Sequence, residues 1–406
     1  MRFKFFIKAS IIFCSFNILS NSVYAQSQID STVDAAIDST IDATDVAKII
    51  FQKKILLQPD SVKKKPGKLL FAILPGVGYS LVTGINAVTS LNVSFYTGKI
   101  STTYLSSITT VAEVSLFKHQ IIIPVESIIW TKGNKYLWLG DWRYYKYPTP
   151  TFGLGGHSVL SNADLIDYSY IRIYQEVLKH LYSKFFAGIG YNFDYHFNIK
   201  EKGLGDFQQY NTNATKTTSS GLLLHCLYDS RKNINNPLQG FYSSIAYRNN
   251  STFLGSDHNW QSLLLEFRKY IKLSSHSNNV LAFWSYNWFT FGGKPPYFDL
   301  PSTGWDTFSN VGRGYIQGRL RGTSLIYLET EYRFGITHNG LLGGVVFVNA
   351  QSIPEIQSNR FETILPGGGF GLRIKANKHS NANLCIDYGF GIQGSHGLFF
   401  NLCEAF

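Results

Sequence analysis

From about Leu69 to the end of the chain, segments of roughly eight to twelve residues alternate apolar and polar positions, with Gly, Asn, Lys and Pro clusters between them. In one segment Tyr136, Trp138, Trp142 and Tyr144 share a face with Gly140, while Leu137, Leu139, Asp141, Arg143 and Tyr145 take the other. Leu263, Leu265 and Phe267 likewise oppose Leu264, Glu266, Arg268 and Tyr270. Ile326, Leu328, Thr330, Tyr332 and Phe334 oppose Tyr327, Glu329, Glu331 and Arg333. A period of two places these sets on opposite sides of a strand, so one face accepts charge and the other does not. A soluble sandwich also alternates, but its charged face lies outside and its core face is less rich in Tyr and Trp. A membrane strand takes ~9–11 residues and a turn or loop about doubles that, so residues 67–406 give roughly 16 strands. Closing them into a barrel satisfies every backbone group in lipid, which an open sheet cannot do. The expected fold is all-β, a transmembrane antiparallel β-barrel.

Composition supports this reading. Charged residues make up 16% of the chain and aromatic residues also 16%, with 36 Gly and a single Met. Globular domains carry about 25% charged residues. Few charges, many aromatics and abundant Gly suit a barrel with a lipid-facing wall and aromatic girdles. After Ala25 no apolar run is long enough for a spanning helix. Cys226, Cys385 and Cys403 are widely spaced and odd in number, fit neither a disulfide framework nor a metal site, and read as apolar fillers.

Ahead of the barrel lie two further segments. Arg2, Lys4 and Lys8 precede an apolar run from Ala9 to Leu19, and Val23-Tyr24-Ala25 supplies small residues at the cleavage positions. Residues 1–25 therefore read as a signal peptide, and the chain as exported. Removing those three basic residues lowers the net charge from +11 to +8. The remaining Lys and Arg are scattered, so attraction to anionic lipopolysaccharide headgroups fits them better than nucleic acid. In residues 26–66, Ile29-Asp30, Val33-Asp34, Ile37-Asp38 and Ile41-Asp42 recur every four residues before the stretch turns basic. That periplasmic tail is either one amphipathic helix or a disordered, charge-patterned linker.

Three stretches carry a resemblance. The first is Asp229-Ser230-Arg231-Lys232-Asn233, then Asn236-Pro237 and Gly240-Phe241-Tyr242, where Pro and Gly read as a tight hairpin. The second is Val311-Gly312-Arg313-Gly314-Tyr315 after the loop from Gly292 to Asn310, followed by Glu331-Tyr332-Arg333-Phe334 and Phe347-Val348-Asn349-Ala350. The third is Gly367-Gly368-Gly369-Phe370-Gly371-Leu372-Arg373, Ile386-Asp387-Tyr388-Gly389-Phe390-Gly391 and a terminal Phe406. Together they resemble the BamA/TamA-type superfamily of outer-membrane assembly barrels, also called bacterial surface antigens. The resemblance implies that Arg313-Gly314-Tyr315 tips a loop folded into the lumen, with Arg313 paired to Glu331. It also makes Phe406 a C-terminal signal to the outer-membrane assembly machinery. Asn349 stands where the family has an inward aspartate, and Glu404 where an aromatic is usual. Residues 26–66 are too short for the periplasmic polypeptide-transport-associated (POTRA) domains that usually precede such barrels, so the resemblance is to a barrel-only member.

The implied function is protein or lipid assembly or transport in a Gram-negative outer membrane, through a seam near Pro75-Gly76-Val77-Gly78, with unfolded outer-membrane proteins as partners. The alternative is a passive pore, surface antigen or anchor. Gly155-Gly156-His157-Ser158 sets a His beside a Ser, but neighbours on a strand point to opposite faces and cannot work as a pair. The expectation is no enzyme, no cofactor and no metal. Asp141, Arg143, Arg373 and Asp387 read as lumen charges paired across strands.

Overall fold

The computed structural model describes residues 41–43, 45, 67–203, 207, 210, 214–275, 277–378 and 380–406. The signal-peptide segment lies outside these, and so does residues 26–66 apart from residues 41–43 and 45. Among the described residues seventeen strands form one antiparallel sheet. They are β1 (Leu70–Ser80), β2 (Gly84–Phe95), β3 (Ser106–Ser115), β4 (Ile121–Trp130), β5 (Tyr136–Lys146), β6 (Thr149–Thr151), β7 (Asp164–Tyr182), β8 (Phe185–Glu201) and β9 (Thr217–Asp229). Then follow β10 (Gly240–Asn250), β11 (Trp260–Lys272), β12 (Val280–Phe291), β13 (Ser324–Gly335), β14 (Leu342–Ser352), β15 (Leu365–Asn377), β16 (Ala382–Gly391) and β17 (His396–Leu402). β6 is a three-residue strip on the end of β7, so sixteen staves make the wall.

Each stave pairs with its neighbours in sequence, from β1–β2 to β16–β17. Pro75-Gly76-Val77-Gly78 stays in full register with β2, Pro75 facing Thr89 and Gly78 facing Asn86, so these residues do not interrupt that ladder. Among the described residues β1 and β17 share no register. They meet through Tyr79, edge-on to Phe400 at 6.0 Å, and through Leu81 over Gly397.

The alternation read from the sequence sorts the wall into two faces. Outward stand Trp138, Trp142, Leu222, Leu224, Leu328, Val346, Val348 and Phe370, all exposed. An apolar surface that encircles the sheet is stable only against lipid. Inward, Asp194, Arg248, Glu266, Glu329, Glu331, Arg373 and Asp387 are buried. One end of the barrel, here the upper, carries the long connection 292–323; the other, the lower, carries the turns β4–β5, β7–β8 and β9–β10. Asp42 is buried at the lower end, where its carboxylate accepts from the Lys378 backbone N–H (3.0 Å) and Asp45 pairs with the Lys378 ammonium (3.3 Å).

Candidate functional site

The upper connection 292–323 enters the lumen, and Arg313 at its tip is completely buried. Its guanidinium meets three carboxylates. Nη1 donates to Asp387 at 2.7 Å, Nε to Glu329 at 3.4 Å, and Nη2 contacts both Glu329 and Glu331. The Phe347 ring stacks against it, 3.8 Å from the guanidinium carbon to the ring centre. Asn349 donates to the Arg313 carbonyl at 2.9 Å and to Glu329 at 3.3 Å, so it locks the loop backbone without charge. Inward glycines of β16 make the seat. A Cβ at Gly314 (φ +103°) would stand 2.8 Å from the Phe390 carbonyl oxygen, and one at Gly391 would pierce the Tyr315 ring. Tyr315 donates to the Pro366 carbonyl at 2.6 Å.

A second cluster continues from Asp387. Arg373 bridges Asp387 and Glu404, the latter at 2.8 Å, and Arg333 joins Glu331 at 2.6 Å to Glu404 at 3.6 Å. β17 stops at Leu402, and Phe406 does not extend it. Instead the last four residues turn into the lumen, where the Phe406 ring stacks on Trp284 at 5.1 Å and its carbonyl accepts from Arg333 at 3.1 Å. Glu404, which stands where an aromatic is usual, is here the carboxylate held by two buried arginines.

Residues 230–239 correct a second expectation: Asp229 to Gly240 is not a tight hairpin but a ten-residue strap laid across the lower mouth. Asp229 holds Arg231 at 2.8 Å, and Arg231 stacks on Tyr242 at 4.5 Å. Asn233 accepts from the Asn235 and Asn236 N–H groups, an Asx turn that bends the strap inward. Asn233 and Asn235 both donate to the Ser380 carbonyl at 3.2 Å, and the Asn235 carbonyl accepts from Glu404 N–H at 2.9 Å. Pro237 is buried, and Gly240 (φ +122°) returns the chain to β10, close over Arg231. The three stretches therefore meet in one lumen assembly.

Other expected residues fall elsewhere. Arg143 pairs with Asp141 on its own strand at 2.5 Å, and the cross-strand partner of Asp141 is Arg172 at 3.3 Å. His157 lies in an upper loop against Glu355 (2.7 Å) and Thr363 (3.0 Å), while Ser158 accepts from Arg319. Cys385 and Cys403 are buried free thiols. Below the loop remains a cavity of about 850 Å³, bounded by Phe298 and Trp305 above and reaching the lower turns at Asn134, Lys184 and Lys232. Behind its lining residues Arg248, Arg172 and Tyr174, the fully buried Asp194 binds all three, at 2.6, 3.4 and 2.7 Å. Sequence reading missed Glu329, although it stands two residues before Glu331 on the same face. It also missed Glu176, His225 and Ser244, which no local pattern links.

An apolar outer wall, a charged lumen and an inward loop locked by arginine define a transmembrane antiparallel β-barrel. The same fold recurs in solved structures: BamA from Haemophilus ducreyi lacking POTRA domains 1–3 (TM-score 0.56, 14% identity, covering 93% of this chain and 82% of that one). CdiB from Acinetobacter baumannii gives a TM-score of 0.54 at 11% identity, covering 82% of this chain and 59% of that one. CdiB from Escherichia coli gives 0.57 at 8% identity, with 82% and 61% covered. The chain thus spans about three fifths of the CdiB chains. No family model matches the sequence, and no curated protein does.

Proposed function

We propose that this chain is an exported outer-membrane barrel of a Gram-negative bacterium that takes part in inserting or translocating proteins or lipids. The observation that carries the reading is the Arg313 lock. The buried pairing of Arg313 with three carboxylates, on a fold shared with BamA and CdiB, favours this reading over a passive barrel, in which the same loop would only plug and stiffen the lumen. In this reading the lower mouth, crossed by the strap, faces the periplasm. Its partners are outer-membrane lipids and lipopolysaccharide, the assembly machinery, and unfolded outer-membrane proteins. In this reading the wall parts at the β1–β17 contact, where Tyr79 meets Phe400 and Leu81 covers Gly397.

The experiment is reconstitution of residues 26–406 in liposomes and planar bilayers, with the folding rate of an added unfolded test barrel and the conductance recorded together. Faster folding of the test barrel supports the proposal. Steady conductance without acceleration would make the protein a pore or anchor.

A further inference from the structure

Three inward side chains from different strands form a relay on the cavity wall. His225 on β9 has Nδ1 2.6 Å from a Glu176 oxygen on β7, and Nε2 2.9 Å from the Ser244 hydroxyl on β10. A carboxylate at Nδ1 fixes the proton there, so Nε2 is left as the acceptor for the serine proton. We propose that Ser244, His225 and Glu176 are a serine-nucleophile relay, and that the barrel cleaves acyl esters that fit its lumen cavity.

The wall is shaped for this contact. β8 lies between β7 and β9, and its register partner for Glu176 is Gly190. A Cβ at 190 would stand 2.8 Å from the Glu176 Cγ, so glycine there is what lets the carboxylate cross β8 to reach the imidazole. The partner of His225 on β10 is Ala246, small enough to leave the ring room. Glu176, His225 and Ser244 all line the cavity of about 850 Å³, within the ~300–1,000 Å³ of small-molecule sites. Leu223, Leu227, Leu264 and Trp288 line the same space and supply an apolar surface for an acyl chain. Tyr242 is two residues from Ser244 on the same face, with Arg231 stacked at 4.5 Å and Arg268 at 5.0 Å. Both guanidiniums are themselves held by carboxylates, Arg231 by Asp229 at 2.8 Å and Arg268 by Glu266 at 2.5 Å.

The spacing alone does not decide the matter. His157, Glu355 and Thr363 have similar distances at the upper end, but that imidazole is largely exposed and does not line the lumen cavity. It ties two loops together. The lumen set adds burial, a cavity and an apolar wall.

In the reaction Ser244 Oγ bonds to the acyl carbon while His225 Nε2 takes its proton. The ester C–O bond breaks, and His225 returns the proton to the departing alcohol. Water then attacks the acyl-serine by the same route, releasing the carboxylic acid and restoring the hydroxyl. Glu176 stabilises the imidazolium in both halves.

The test is labelling of the purified barrel, residues 26–406 in detergent micelles, with an alkyl fluorophosphonate, and mapping of the adduct by mass spectrometry. Hydrolysis of 4-nitrophenyl butyrate is followed in parallel. The proposal expects the adduct on Ser244, its loss in Ser244→Ala, and labelling slower by roughly 10²–10⁴-fold in His225→Gln. Heat-modifiable gel mobility identifies the folded variants. Folded wild-type protein without an adduct on Ser244 would overturn the proposal, and so would labelling that His225→Gln leaves unchanged. A hydroxyl that merely fills the lumen gives that second outcome. The assembly reading rests on Arg313, not on this relay, and stands whichever way the labelling turns out.

Discussion

Replacing Arg313 by Ala removes the one cation shared by Glu329, Glu331 and Asp387, but the three acids do not suffer equally. Glu331 keeps Arg333 at 2.6 Å, and Asp387 keeps Arg373. Glu329 keeps only the Tyr327 hydroxyl and the Asn349 amide. The cost therefore concentrates on Glu329, a buried carboxylate left without a cation, and such a loss is worth roughly 3–5 kcal/mol. Urea unfolding of the reconstituted barrel, read by tryptophan fluorescence and by heat-modifiable gel mobility, should show a destabilisation of about that size with strand content unchanged. Arg313→Ala combined with Glu329→Gln should recover most of it, because the uncompensated charge has gone. If the double variant is no more stable than the single one, the charge argument is wrong. If the single variant costs under ~0.5 kcal/mol, Arg313 is no lock at all.

Phe406→Ala empties the slot between Trp284 and Tyr270 and should cost roughly 3–5 kcal/mol in the same unfolding assay. Loss of that anchor should also open the tail to carboxypeptidase. Gly314→Ala puts a Cβ against the Phe390 backbone at a φ of +103°. It should cost about 1–3 kcal/mol and raise protease cleavage in residues 292–323. Asp299, in the inward loop, has its carboxyl pushed up to about 7 by burial and then by the Asp194 carboxylate. Its folded value exceeds the unfolded one, so stability from this group is full below the unfolded value near 4, falls as pH rises to about 7, and is flat above. Asp299→Asn should flatten that part of the unfolding-midpoint profile, and an unchanged slope would remove Asp299 as its source.

Local rules read well here because the barrel wall is built from them. A strand alternates its faces every residue, so Leu328 and Tyr332 had to face away from Glu329 and Glu331 once lipid took one side. Sixteen staves followed from length, and the arginine loop from the residues at its tip. The strap, the tail and the relay were not legible. Asn233 does mark a turn, but only closure of the sheet brings Ser380 and Glu404 across the mouth to receive it. Phe406 reads as the end of a strand until Arg373 and Arg333 are seen to capture Glu404 and bend the last residues inward. Glu176, His225 and Ser244 are separated by long stretches of chain and joined by nothing periodic. Periodicity reports which face a side chain takes, whereas curvature decides which inward side chains meet, and curvature belongs to the closed sheet as a whole.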